Sequence, residues 1–515
     1  MESSVSTLTA TPRQTLSAPR ALQLRLSPVP LVFALVFLLF FFQLGARDLV
    51  SSHEARAAQN AQRMIDTGDW GLPTLFDGQA DLQKPPGYYW LVAVTSFANG
   101  GHVSPWVARF PAAVSSVIAV AVVFLFLRSE GYNTGALFGA IALATANHFV
   151  AIGRTARIDV PLACAVACSL LAFYRGCLAT RGTALRWYSL SAIAAGFAVL
   201  LKGPVALALI GTTAIAFLVV ERTTTKRERR ARLPLWGAFF GTAVVACVAL
   251  PWFVYAQSAT NGEFARVFFW HHNVDRFAGT AESLASHPWW YYGPRFAMAF
   301  LPWTLLLVPL VVWSVRSGLW KQNRVVRFGF VWLVAMLAVL SASQFKRADY
   351  LLPAFPGAAI ALGCAAEEWI RAQTAERRKR AAQWCVGVLT LLAVAVWPVM
   401  WFVVEPAEAA RHEKRPFAAA IRAHATTQQT IVLFRTESHL LAYHLGCPLH
   451  TLVEWGDLKD TLAARGQHVI VMPPEYVSEA EQITGRKLVP VASLADYTRV
   501  RPHRSLVCVR TADLP

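Results

Sequence analysis

Up to residue 404 the chain alternates long apolar runs with short polar connectors, and the runs are longer than a soluble core requires. A helix rises about 1.5 Å per residue, so roughly 20 apolar residues cross a bilayer core. Runs of that kind lie near 29–45, 106–127, 135–151, 160–178, 187–201, 204–220, 236–257, 296–313, 328–341, 350–366 and 383–403. They predict about eleven membrane helices. Arginines before the first run (Arg13, Arg20, Arg25) give it the outline of a signal peptide, but its long aromatic stretch favours a retained anchor. After residue 404 the pattern changes. Short apolar strands are expected at 430–434, 469–472 and 505–509, with helical stretches at 416–424 and 456–464. The reading is an all-α polytopic membrane protein with a small C-terminal α/β domain. It has a cytoplasmic tail at 1–28, a membrane body at 29–404 with a large first external loop at 46–105, and an accessory domain at 405–515.

Composition agrees: 55% of the 515 residues are hydrophobic and only 15% charged, which places most of the chain in lipid. The net charge of +18 is largely a topology signal. Arg222, Lys226, Arg227, Arg229, Arg230 and Arg232 crowd one connector, Arg316, Lys321, Arg324 and Arg327 a second, and Arg371, Arg377, Arg378, Lys379 and Arg380 a third. Basic connectors face the cytoplasm. Counting outward from them puts the N-terminus inside, and residues 46–105 and everything after 404 outside. These short basic connectors lack the aromatic interleaving of a nucleic-acid surface, so a nucleic-acid partner is not expected. Of the eight cysteines only Cys447 and Cys508 share the tail domain, either as a disulfide or as buried thiols. No cysteine spacing of metal-site type and no glycine-rich phosphate loop is present.

The remaining polar residues do not scatter. Under this topology His53-Glu54-Ala55-Arg56, Gln83-Lys84-Pro85-Pro86, Arg154-Thr155-Ala156-Arg157-Ile158-Asp159, Lys202-Gly203-Pro204, His271-His272-Asn273-Val274-Asp275-Arg276 and Lys346-Arg347-Ala348-Asp349-Tyr350 all fall outside. Ionisable groups at the lipid boundary are costly and mark functional sites by default. A carboxylate among lysines and arginines there suits a lipid phosphate: the cations stabilise charge growing on a departing phosphate, and a carboxylate or histidine takes the proton of an attacking hydroxyl. Bland alternatives stand beside this. Glu54 and Arg56 suit a decorated interfacial helix, Asp159 a pair with Arg157 or a helix cap, Lys84 and Lys202 snorkelling cations, and Trp289-Trp290-Tyr291-Tyr292 an interfacial aromatic belt.

The ordered set Ser52-His53-Glu54-Ala55-Arg56, Thr67-Gly68-Asp69-Trp70, Gln83-Lys84-Pro85-Pro86, Ala156-Arg157-Ile158-Asp159, residues 196–204, His271-His272 and Arg276-Phe277 resembles the GT-C glycosyltransferases of the aminoarabinose-transferase and protein O-mannosyltransferase type. The resemblance covers most of residues 30–360. It implies a polytopic bundle with juxtamembrane helices in the first external loop, which suits 88–100. It also implies Asp159 as the acidic residue of the active site, and Lys84, Lys202 and Arg276 as contacts to the carrier phosphate or sugar. Two departures stand out: many relatives carry Asp-Glu where this chain has His53-Glu54, and the Lys346 segment lacks their compact Leu-Pro before tyrosine.

The expected function is transfer of a sugar, a pentose, aminopentose or hexose, from a polyprenyl-phosphate donor to a lipid, glycan or protein acceptor by a single inverting displacement on the outer face of the inner (plasma) membrane. Asp159, Glu54 or His53 is the base. Lys84, Arg56, Arg157, Lys202, His271, Arg276, Lys346 and Tyr350 are the candidate donor contacts. No cofactor is demanded, and a divalent metal is left open. The competing readings are a transporter or flippase of lipid-linked substrates, which the helix-breaking Gly203-Pro204 turn suits, and an inactive scaffold of the same fold.

Overall fold

The computed structural model describes residues 28–226, 230–275, 287–425, 431–436, 438–447, 449–463, 467–494 and 505–512. Helix α1 (Pro28–Phe41) leads into a loop carrying α2 (Ser52–Thr67) and α3 (Gly87–Ser96). The bundle continues with α4 (Pro105–Ser129), α5 (Thr134–Thr145), α6 (Asn147–Gly153), α7 (Asp159–Leu178), α8 (Arg181–Lys202), α9 (Val205–Thr224) and α10 (Leu235–Ala259). It closes with α11 (Tyr292–Ala299), α12 (Thr304–Arg316), α13 (Arg324–Ala342), α14 (Phe355–Arg371) and α15 (Glu376–Val399). Among the described residues eight helices are long and apolar enough to cross a membrane, and up to ten if the bent pairs α5–α6 and α11–α12 each form one span. The first expected span is shorter than its apolar run: α1 holds 14 residues, and the chain turns after Phe41.

Adjacent helices run in opposite senses, so the chemistry-bearing ends collect at one end of the bundle. Asp159 opens α7, Lys202 closes α8, Val205 opens α9, and α13 ends beside Ser343. The basic connectors lie one helix length away, about 30 Å for 20 residues. There the buried Glu221, near the end of α9, takes Arg327 and Arg324, the latter at 3.2 Å. In the same region Glu367 of α14 accepts the Gly135 amide at 2.6 Å. Such satisfied pairs let charge sit at bundle depth.

Local sequence explains the loop helices. Ser51 caps α2 through its side chain, and Gly68 ends it in the left-handed region with φ 72°. Gly87 lets α3 press on α8, since a Cβ there would meet the Leu200 carbonyl oxygen at 2.7 Å. The resemblance anticipated these loop helices.

Beyond the membrane body five strands among the described residues form one sheet: β1 (Ile431–Phe434), β2 (Leu449–Leu452), β3 (Val469–Met472), β4 (Leu488–Leu494) and β5 (Leu506–Thr511), in the order β2-β1-β3-β5-β4. β1 pairs in parallel with β2 and β3, while β5 runs antiparallel to β3 and β4. The fully buried β1 and β3 were legible as continuous apolar runs. β2, with two exposed residues, and β4, with a proline and a bulge, were not. Helices α16 (Arg415–His424), α17 (His439–Leu445), α18 (Trp455–Ala463) and α19 (Val477–Thr484) accompany the sheet. Cys447 and Cys508 are both free thiols.

Candidate active site

Two connected cavities open at the end of the bundle where the polar clusters gather. The first is a narrow polar cleft, about 20 Å³, lined by His53, Arg56, Asp81, Gln83, Lys84, Tyr88, Tyr89, Arg157 and Asp159. The second is larger, about 460 Å³, and mostly apolar: Leu162, Val205, Ala208, Leu209, Phe268, Val339, Leu340 and Phe345 form its walls. Gln83 and Lys84 line both, so the lysine stands at the junction.

The junction is built by two turns. Pro85 and Pro86 halt the chain after Lys84 and launch α3. Gly203, with φ 78°, lets the chain reverse between α8 and α9 where a Cβ would strike the Phe268 ring. The reversal sets Lys202 over the Tyr350 ring, 4.2 Å from its centroid, and 2.6 Å from Asp159 Oδ1. Arg157 Nε lies 3.4 Å from Asp159 Oδ2, and its other arm donates to Asp349 at 2.6 Å. Asp349 also takes Arg347 at 3.0 Å and His148 Nε2 at 3.1 Å. Asp81 is held by Arg56 and by Asn60 at 2.9 Å. Among the described residues, Asp81, Asp159 and Asp349 are thus each already met by a cation.

Lys84 differs. Among the described residues it makes no hydrogen bond or ion pair. Burial brings its ammonium down to about 8, opposed by Asp159 and reinforced by Lys202. His53 likewise lacks a hydrogen-bond partner. Burial first, then Lys84, Arg157 and Arg347, push it down to about 3, so it faces the cavity as a neutral imidazole at physiological pH.

Several expected site residues are placed elsewhere. Glu54 is fully buried behind the cavity and lines neither space. It binds Arg109 at 2.8 Å and accepts the amides of Val50 and Ala156, each at 2.9 Å. Burial alone would raise its carboxyl, but Arg109 and these amides hold it below the usual range. With every oxygen committed it ties α2 and α4 to the Ala156 loop and is not positioned as a base. The Lys346 ammonium donates to the carbonyls of Ser343 and, at 3.0 Å, of His287, because it lies where the chain leaves α13. His271 stands on the outer side of the π-helix Ala265–Val274, 63% exposed and 3.6 Å from Asp275. Arg276 lies outside the described residues. Asp159, Arg56, Arg157, Lys84 and His53 do converge, and Lys202 and Tyr350 join them at the apolar cavity.

Sequence reasoning passed over Arg109, Asp81 and His148. Arg109 had a signal, an arginine inside an apolar run, whereas Asp81 sat in a loop like any other. The aromatic run splits: Trp289 and Trp290 are exposed, as a belt requires, while Tyr292 is buried and lines the apolar cavity. Among the described residues no three His, Cys, Asp or Glu side chains converge as a metal site.

A many-span bundle with a one-ended polar site, loop helices packed over it and an appended sheet is the GT-C fold of membrane glycosyltransferases. The dolichyl-phosphate-mannose-protein mannosyltransferase family model matches residues 83–271, a stretch that holds Lys84, Asp159 and Lys202. The chain is 30% identical over 343 residues to an undecaprenyl phosphate-alpha-4-amino-4-deoxy-L-arabinose arabinosyl transferase of Pseudomonas fluorescens, over 65% of this chain and 59% of that protein. A Pseudomonas aeruginosa protein of the same description is 30% identical over 339 residues, 65% of this chain and 58% of that one. The match thus spans less than two thirds of these relatives. The crystal structure of ArnT from Cupriavidus metallidurans bound to undecaprenyl phosphate superposes with a TM-score of 0.74 at 22% identity, over 94% of this chain and 97% of that one. The archaeal oligosaccharyltransferase AglB from Archaeoglobus fulgidus superposes at 0.54 with 10% identity, over 94% and 75%.

Proposed function

We propose that the protein is a glycosyltransferase that moves a sugar from a polyprenyl-phosphate donor to a hydroxyl acceptor at the extracytoplasmic face of the membrane in which it sits. The observation that carries this reading is the junction: an apolar cavity walled by spanning helices meets a polar cavity at Lys84 and Lys202, as a lipid tail, a phosphate and a sugar in series require. The relatives named for undecaprenyl phosphate sugars support the donor class. The prenyl chain lies among Leu162, Val205, Leu209 and Leu340, the phosphate against Lys84 and Lys202, and the sugar between Arg56, Arg157 and Asp159.

The acceptor oxygen attacks the anomeric carbon from the face opposite the phosphate as the bond from that carbon to the phosphate oxygen breaks, giving inversion. The acceptor proton passes to Asp159, and the polyprenyl phosphate leaves with one more negative charge. A lysine 4 Å from that charge contributes ~4 kcal/mol at an effective dielectric of 20, the right order for electrostatic catalysis. Phosphate drawn to Lys202 competes with Asp159 Oδ1 for it, opening that one oxygen to the acceptor proton while Arg157 still neutralises the carboxylate from Oδ2. Glu54 acts as a positioning residue through Ala156.

The test is transfer of radiolabelled sugar from purified polyprenyl-phosphate donors in membranes carrying wild type or Asp159→Asn. Transfer by wild type that falls by about 10²-fold or more in the variant, with normal insertion, upholds the reading. Binding of undecaprenyl phosphate without transfer from any donor would favour a lipid carrier instead.

A further inference from the structure

If Lys84 and Lys202 take the phosphate, the sugar falls among Arg56, Arg157, Asp81, Asp159 and His53, and the charges there are not neutral. Asp81 is only 1% exposed at its side chain and is engaged by Arg56 and Asn60. Asp159, at 6%, has one oxygen on Lys202 and the other on Arg157. Glu54 is sealed behind the wall by Arg109. Arg56, Lys84 and Arg157 line the polar cavity against two carboxylates, and Lys202 adds a further cation at its mouth. At the position best placed to change that balance stands His53, an imidazole that burial and three neighbouring cations keep uncharged.

We infer that the donor sugar bears no ammonium group, and that His53 is the residue that sets this preference. The inference rests on the glycosyltransferase reading and departs from the relatives, whose names specify an amino sugar. A buried ammonium needs a carboxylate that is not already neutralised. Among the described residues each carboxylate lining the cavity is engaged by a cation, Asp81 by Arg56 and Asp159 by Arg157 even when phosphate draws off Lys202, and the uncompensated charge is positive. A phosphate passing from one negative charge to two absorbs that surplus, whereas a sugar ammonium adds to it. Neutral hydroxyls pair with the guanidinium edges of Arg56 and Arg157 and with the imidazole of His53.

The experiment is displacement of radiolabelled undecaprenyl phosphate from the purified full-length protein. The competitors are undecaprenyl phosphate-glucose and undecaprenyl phosphate-4-amino-4-deoxy-arabinose, with wild type, His53→Asp and His53→Asn. In wild type the neutral donor should displace the label at a concentration about ten-fold or more below the amino donor. His53→Asp should erase or reverse that gap and His53→Asn should keep it, which separates charge from size. An amino donor that binds wild type as well as the neutral one overturns the inference, and a gap unmoved by His53→Asp overturns the role of His53. Neither result touches the transferase reading. That reading, and this inference with it, fails if labelled undecaprenyl phosphate does not bind at all.

Discussion

At the scale of single residues, the site separates groups that hold structure from groups left open for a ligand. Glu54 and Arg109 form a pair with both side chains fully buried, and removing one partner of such a pair strands a charge. Glu54→Gln should therefore cost about 3–5 kcal/mol of stability, read as a lowered thermal unfolding midpoint in detergent, rather than shift the pH profile of a catalytic base. Lys84 is the opposite case. Its ammonium is held down to about 8 and its charged form is the one proposed to bind phosphate, so affinity for undecaprenyl phosphate should be full below that pH and fall as pH rises through it. Lys84→Arg should abolish the decline between pH 7 and 9.5 in the same titration while retaining binding, since a guanidinium stays charged. A decline that survives this substitution would assign it to another group.

Among the elements, close helix contacts carry the site as much as its ionisable groups do. Helices α5 and α14 cross with Gly135 and Gly363 back to back, each leaving no room for a side chain against the other's carbonyl. The residue run into α14 holds Asp349, which anchors Arg157, so this crossing sets the position of the site. Gly363→Val should overpack the contact and destabilise the protein by about 1–3 kcal/mol, seen as a lower midpoint in a thermal aggregation assay, with donor turnover falling in parallel. The apolar pattern made these helices predictable as spans. Which faces meet was not legible, because apolar residues surround several of them; lipid and neighbouring helices select for the same side chains.

For the whole molecule, the appended sheet domain and the first loop form one face. Gln59 of α2 donates to the His439 carbonyl at 2.8 Å, Tyr443 to the Val103 carbonyl at 2.7 Å, and Asp48 meets His444 at 2.8 Å. The domain thus braces the helix that bears His53 and Arg56. Gln59→Ala with Tyr443→Phe should loosen it, raising protease cleavage between residues 404 and 415 and lowering turnover about two- to five-fold at unchanged prenyl-phosphate binding; two hydrogen bonds at about 1 kcal/mol each set that scale. Orientation belongs to this scale too. In intact cells an impermeant thiol reagent should reach Gly456→Cys but not Arg378→Cys, both in a background lacking the exposed Cys247 and Cys385. The reverse labelling would invert the proposed topology.

The sequence by itself determined the membrane class, the approximate spans, the buried strands β1 and β3, and the polar clusters from which the site is assembled. Hydropathy and charge act locally along the chain, so they can be read without knowing what touches what. Only the tertiary structure decided which charges are already neutralised. Glu54, Lys346 and Lys84 look alike as ionisable residues near the lipid boundary. One is committed to Arg109 and two amides, one to two carbonyls, and one is left, among the described residues, without a hydrogen bond or ion pair where two cavities meet. Pairing depends on groups far apart in the chain, as between Arg157 and Asp349, 192 residues apart, and a linear pattern carries no distance between them.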